Sequence, residues 1–222
     1  MARVSNESPD AVLVIGLGRF GSAIAVTLDK LGRDVLAVES DPDLAQQWSH
    51  RFRVVEADAR SAEALHQLGA QDFQIAVVGV GTSLEASVLI TANLVDMGMR
   101  EIWAKATSRE HGTILRRIGA NHVVYPEYDA GQRVAHMVSG KMLDYIEMED
   151  QFTIVKMLPP KDMIGFTLEQ SRIQERFGVR VIGVKSHGQP FEYATPQTLV
   201  SSGDTLIVSG EPTLLETFAN RL

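Results

Sequence analysis

The chain has 222 residues, 45% of them hydrophobic, which is enough for a packed core and excludes global disorder. Its net charge of −7 argues against a surface that wraps nucleic-acid phosphates, so no nucleic-acid partner is expected. The absence of cysteine excludes disulfides and thiolate metal sites and suits the cytoplasm, while apolar runs far short of the ~20 residues that span a bilayer lead us to expect a soluble protein without a secretory leader.

A strand–helix alternation fills the first two thirds of the chain. Apolar, β-branched runs at 11–16 (AVLVIG), 34–39 (DVLAVE), 51–57 (RFRVVEA), 74–80 (QIAVVGV), 101–106 (EIWAKA) and 122–126 (HVVYP) predict strands, most of them buried on both faces. Helix signals lie between them. Asp41 precedes Pro42 as a cap, Ser61 opens a segment closed by Gly69, Thr82 or Ser83 opens one closed by Gly98, and Ser108 opens one closed by Gly119. Six such units predict an α/β fold with a Rossmann-like, doubly wound parallel sheet. Near residue 147 the rhythm changes. KMLDYIEMED reads as a helix end followed by an acidic linker. Then FTIVKML, a short helix in EQSRIQERFG, VRVIGVK, FEYAT and DTLIVSG predict a smaller α+β lobe. The expected division is 1–146 and 147–222.

The stretch VIGLGRFGSAIA, residues 14–25, carries the chemistry. Gly16, Gly18 and Gly21 form a G-x-G-x-x-G run between a strand and an amphipathic helix. The first glycine permits the turn, the second lets backbone amides approach a phosphate, and the third lets the helix pack on the sheet. The helix N-terminus then offers free N–H groups and a positive dipole end to an anion. Glu39, at the end of the second strand and followed by Ser40, stands where a carboxylate grips a ribose 2′-hydroxyl, and its charge disfavours NADP. Arg19 lies inside the loop between Leu17 and Phe20, as a cation for terminal or bridging phosphates or as a solvated arginine paired with a surface carboxylate. Asp58 and Ala59 follow the third strand, where an adenine edge would lie, although Asp58 also reads as a helix-capping acid. Gly79 and Gly81 end the fourth strand, either leaving room for a ligand or making a plain turn.

An enzyme would need more. The six histidines are scattered, none with metal-ligand spacing or a triad neighbour, and no G-x-S-x-G or Walker lysine occurs. His111, beside Glu110 at a helix start, is expected to be solvated rather than catalytic. A regulatory nucleotide-binding protein is therefore expected, with an NAD-dependent oxidoreductase as the rival.

VIGLGRFG, the acid at Glu39, WAKA (103–106), IGANHVVYPEYDAG (118–131) and the small C-terminal lobe resemble the regulatory subunits of Trk/Ktr-type potassium uptake systems, built on the RCK domain. The likeness is strongest to the Ktr-type subunit. The resemblance implies dimers assembled into a ring, commonly an octamer, docked beneath a membrane potassium-transporting subunit at the cytoplasmic face of the cell membrane. It implies control by ATP and ADP in Ktr-like members, or NAD(H) in Trk-like ones. It implies phosphates on Gly16 to Gly21, ribose on Glu39 and adenine by Asp58 and Ala59. Lys105 would face the phosphates, and Arg19 would reach a terminal phosphate near a dimer interface. Glu127 would stand near the nucleotide and a divalent or sodium ion between subunits; from the residues alone it reads equally as an acid favoured at a helix N-terminus. A crossover helix around 127–145, with Val134, Met137, Val138 and Leu143 at helical spacing, would dock one protomer on another or cover its own sheet. Where many Trk-like members carry D-E-x-N, this chain has TSLEAS (82–87), which leans toward the Ktr type. Cyclic di-AMP, bound by the C-terminal lobe of some relatives, is not assigned, because no matching charge pattern is present.

Overall fold

Each strand expected in the first two thirds forms in the computed structural model, which describes residues 11–138, 142–148 and 152–220. They are β1 (Val12–Ile15), β2 (Val35–Glu39), β3 (Arg53–Glu56), β4 (Ile75–Val78), β5 (Glu101–Lys105) and β6 (His122–Val124). All pair in parallel, in the order β3-β2-β1-β4-β5-β6. Every residue of β1 and β2 is buried, because each sheet face carries its own apolar cluster. Leu13, Ile15, Leu36 and Val38 point into one cluster, and Val12, Val14, Val35 and Ala37 into the other.

The intervening helices are α1 (Arg19–Lys30), α2 (Pro42–Trp48), α3 (Ala62–Gln67), α4 (Leu84–Asp96) and α5 (Arg109–Ile118). Side-chain caps start four of them: Asp41 for α2, Ser61 for α3, Ser83 for α4 and Ser108 for α5. Ser83, not Thr82, is thus the cap of α4. Gly119, at φ +115°, closes α5 as expected. The strand order reverses between β1 and β4, so the carboxyl ends of these strands open the crevice where such sheets hold ligands.

The chain divides into two units, Met1–Glu127 and Tyr128–Leu222. Helix α6 (Pro126–Val138) carries the chain from one to the next, and none of its residues is buried. In the second unit β7 (Met142–Glu147), β8 (Thr153–Met157), β9 (Arg180–Lys185), β10 (Glu192–Tyr193) and β11 (Thr205–Gly210) form an antiparallel sheet, ordered β10-β9-β11-β8-β7. Its core, including Val155, Met157, Leu206 and Val208, packs with Met163, Ile173, Leu215 and Phe218. The helices here are short: α7 (Leu168–Ser171), α8 (Ile173–Phe177) and α9 (Pro212–Ala219). Arg172, at φ +49°, breaks the expected single helix into α7 and α8.

Three local expectations are corrected. KMLDYIEMED is not a helix end: residues 142–147 are β7, paired with β8, and Leu143 sits on this strand rather than on the crossover helix. The 146/147 boundary therefore falls inside a strand of the second sheet. The register shifts between Met142 and Asp144, so Met142 and Tyr145, three apart, are both buried. That bulge imitates helical spacing. His111 is not solvated; it is 1% exposed. Helix α9 lies outside the expected elements, although Pro212 directly after Glu211 is a first-turn signal. Residues 139–141 and 149–151 of the expected crossover helix and linker lie outside the described residues. Among the described residues no helix is long and apolar enough to cross a membrane.

Candidate nucleotide-binding site

The glycine loop joins β1 to α1, and its geometry separates three glycines by what each avoids. Gly16 takes φ +87°, and a Cβ there would stand 3.0 Å from Val80 Cγ2. A Cβ on Gly21 would fall 1.8 Å from the Gly16 carbonyl oxygen, so only glycine allows α1 to cross the loop this closely. Gly79, at the end of β4, is pressed against the same carbonyl, with a Cβ at 3.1 Å. Gly18 differs. Its φ is −59°, open to any residue, and nothing stands within 4 Å of where a Cβ would be. Neither packing nor a positive φ requires glycine at this position. It is also the N-cap of α1, which has no side-chain cap, in contrast to α2 through α5. No side chain caps the amides at the start of α1, and the space beside the Gly18 Cα is open, an arrangement that fits a phosphate.

Glu39 ends β2 and is 8% exposed. The Leu17 N–H donates to its Oε2 at 2.6 Å, and the Ser40 and Asp41 N–H groups donate to Oε1 at 2.7 and 3.0 Å. Glu39 thus holds the glycine loop as well as lining the crevice beside it. Sequence spacing gives the acid's place but not this second function.

Behind Glu39 lies a cavity of about 210 Å³ lined by Gly16, Glu39, Ser40, Asp58, Ala59 and Arg60, closed by α4 residues such as Ala86 and Ile90. Asp58 is not a helix cap; Ser61 caps α3. Its carboxylate accepts from Arg60 Nε at 2.9 Å and Nη2 at 2.6 Å, and these bonds hold the Asp58 carboxyl below the usual carboxylate range. Arg60, absent from the expected set, lines the same cavity.

The remaining expected residues converge at the other end of the loop. Lys105, leaving β5, places Nζ 2.6 Å from Glu127 Oε1, and this ammonium keeps Glu127 below its ordinary pKa, with Arg19 adding to the effect. The same Nζ lies 5.9 Å from the centre of the Phe20 ring, and a Cβ on Gly81 would stand 3.1 Å from it. Lys105 has a side-chain exposure of 13% and Glu127 of 64%. Arg19 is exposed at the first position of α1. The expected residues therefore form two clusters at the sheet's carboxyl edge. One is a cavity edged by the Glu39 and Asp58 carboxylates, and the other a cationic end beside the uncapped helix. Among the described residues no group of three or more His, Asp or Glu side chains is placed to hold a metal ion.

Two domain families match in series, TrkA-N over residues 12–126 and TrkA-C over residues 152–222. Ktr system potassium uptake protein C of Bacillus subtilis is 31% identical over 94% of this chain and 96% of its own. Protein A of the same system and organism is 29% identical over 99% of both chains. Among solved structures, the GsuK channel bound to NAD aligns with TM-score 0.66 at 19% identity, covering 98% of this chain and 40% of that one. This chain thus spans under half of the channel. The ADP-bound GsuK aligns at TM-score 0.52 over 63% of this chain and 36% of that one, at 22% identity. The AMP-bound Kef C-terminal domain of Shewanella denitrificans aligns at 0.51 over 58% and 80%, at 21% identity. Those likenesses establish the fold, and the sequence matches establish kinship: the chain belongs to the RCK-domain family, TrkA-N followed by TrkA-C, of regulatory, non-catalytic subunits of Trk/Ktr-type potassium uptake systems.

Proposed function

We propose that this protein senses a nucleotide carrying an adenosine 5′-diphosphate group and thereby sets the activity of a membrane potassium-transport protein. The observation that carries the reading is Gly18: a glycine that neither packing nor φ demands, capping a helix that no side chain caps, beside a cavity edged by Glu39 and Asp58. NAD(H) and ADP both present that diphosphate to the loop and the adenosine to the cavity. The NAD-, ADP- and AMP-bound relatives support this chemistry, and the NAD-bound one, aligned over 98% of this chain against 63% for the ADP-bound one, favours NAD(H) over an ATP/ADP pair. One observation favours the ATP/ADP reading separately. Arg19 and Lys105 bring two cations to the open end of the loop, where a third phosphate would add charge-assisted hydrogen bonds.

A ligand biases conformations only by its differential affinity for them. A ~100-fold preference supplies ~2.7 kcal/mol per site, and an assembly of several subunits multiplies it. The Ktr relatives support a membrane potassium-transporting partner and hence a place at the cytoplasmic face of the cell membrane. Self-association into dimers and an octameric ring would bring Arg19 of one protomer to its neighbour's nucleotide. A divalent or sodium ion shared at Glu127 would have to displace Lys105 or join it.

Isothermal titration with NAD, NADH, ADP, ATP and AMP, combined with mass spectrometry of the nucleotide retained through gentle purification, tests the reading. Binding of nucleotides with an ADP group is expected, and failure of all five to bind overturns it. Light scattering tests the assembly: a monomer at all concentrations removes the ring.

A further inference from the structure

Arg60 is the cavity residue that the glycine loop and its acid leave unexplained. Its backbone is fixed at both ends: its N–H donates to Asp58 Oδ1 at 3.0 Å, and its carbonyl accepts from Asn93 Nδ2 of α4 at 2.9 Å. Its side chain makes a forked pair with Asp58, through Nε to both carboxylate oxygens (2.9 and 3.0 Å) and through Nη2 to Oδ2 (2.6 Å). Guanidinium carries five N–H donors in a rigid plane, and a carboxylate offers about four lone-pair positions. The pair spends Nε and part of Nη2; among the described residues Nη1 makes no hydrogen bond. Both residues line the 210 Å³ cavity, and the Arg60 side chain is 55% exposed, so it is not needed as packing.

We infer that Arg60 is a specificity-determining residue that reads the purine ring, with Asp58 and Arg60 acting as one side-by-side acceptor and donor. The inference rests on the nucleotide reading above and names how that site selects its base. Adenine presents an exocyclic amine flanked on each side by a bare ring nitrogen, N1 on one edge and N7 on the other. The amine matches a carboxylate acceptor. The neighbouring ring nitrogen matches a guanidinium donor held beside it by the forked pair. A carboxylate alone would satisfy only the amine. The planar fork fixes both groups in one geometry before the ligand arrives, so little further ordering is required on binding.

The test is a cycle of protein and ligand changes read by isothermal titration. Wild-type protein and Arg60→Ala are each titrated with ADP, 1-deaza-ADP and 7-deaza-ADP, in which one ring nitrogen at a time becomes a C–H. In the wild type one of the two deaza analogues is expected to bind ~10-fold more weakly than ADP, the size of one hydrogen bond to a charged group. Arg60→Ala is expected to weaken ADP by a similar ~10-fold and to bind that same analogue no worse than ADP, because the lost partner is already gone. A uniform loss for all three ligands would show that Arg60 only steadies Asp58, and no loss would show that it is a bystander; either result overturns the assignment while leaving the nucleotide reading standing. Absence of ADP binding to the wild type would overturn the assignment, and the nucleotide reading falls with it only if NAD, NADH, ATP and AMP also fail to bind. Thermal melting of Arg60→Ala within a few degrees of wild type is expected; for a variant that melts early, Arg60→Gln, which keeps a shorter donor, supplies the same cycle.

Discussion

Lys105 Nζ and Glu127 Oε1 lie 2.6 Å apart, joining the end of β5 to the second residue of α6. Glu127 is the last residue of the first unit, and Lys105 sits between it, the Phe20 ring and Gly81. The pair therefore stands between the open end of the glycine loop and the helix that leaves the unit.

An ion pair with one well-exposed partner adds at most about 1 kcal/mol to stability. Lys105→Met is accordingly expected to alter the unfolding free energy by less than about 1 kcal/mol while weakening phosphate-bearing ligands by roughly tenfold. Chemical denaturation and calorimetry on one preparation separate the two effects. Equal ADP affinity in variant and wild type would remove Lys105 from the phosphate site.

Gly18 and Gly21 look alike in the sequence and are expected to respond oppositely to alanine. Gly18→Ala meets open space, so it should cost no more than about 1 kcal/mol, the cost of a poorer N-cap, whereas its methyl group occupies the position where a diphosphate would pass and binding should fall. Gly21→Ala drives a methyl into the Gly16 carbonyl and should cost about 3 kcal/mol or more. Thermal melting and titration of both variants check this, and a Gly18→Ala protein that binds ADP normally would contradict the role given to that amide-lined gap.

Glu39→Ala removes the acceptor of the Leu17, Ser40 and Asp41 N–H groups as well as a ribose ligand. It should therefore lower stability by about 2–3 kcal/mol in addition to weakening nucleotide binding. The two roles are separable with 2′-deoxy-ADP. Wild type should bind it more weakly than ADP, and equal affinity would leave Glu39 with only its loop-holding function.

His111 is buried, accepts the Thr107 N–H at Nδ1 (3.3 Å), and has no partner at Nε2 among the described residues. Burial disfavours the imidazolium and lowers its pKa from 6.5. The unfolded chain takes up this proton at a higher pH than the native one, so the contribution is fully present above about pH 6.5 and is lost as pH falls through the lowered native value. His111→Asn keeps an acceptor for Thr107 without a titrating ring. Urea unfolding between about pH 7 and 5 should show a shallower acid-side loss in the variant. Identical slopes would assign the acid sensitivity to other groups.

Much of this architecture is legible before any coordinates. The unbroken apolar runs of β1 and β2 announce strands covered on both faces, and Asp41, Ser61 and Ser108 mark helix starts, because caps and burial patterns are local properties of a few consecutive residues. The glycine spacing and Glu39 likewise mark the crevice at the carboxyl ends of β1 and β2. Other features are decided by tertiary structure alone. MLDYIE becomes β7 because a bulge puts Met142 and Tyr145 on one face against β8, and a three-residue spacing cannot by itself distinguish a bulged strand from a helix. His111 is buried where its own segment reads as solvated. Lys105 meets Glu127 across 22 residues, and Asp58 and Arg60 share a cavity with α4, since side chains from different crossovers converge only once the sheet has set its strand order. The sequence determines which segments are strands and helices and where an anion can sit, through short-range patterns. The partner of Lys105, and the cavity that Asp58 and Arg60 share with α4, follow from long-range packing that those patterns do not encode.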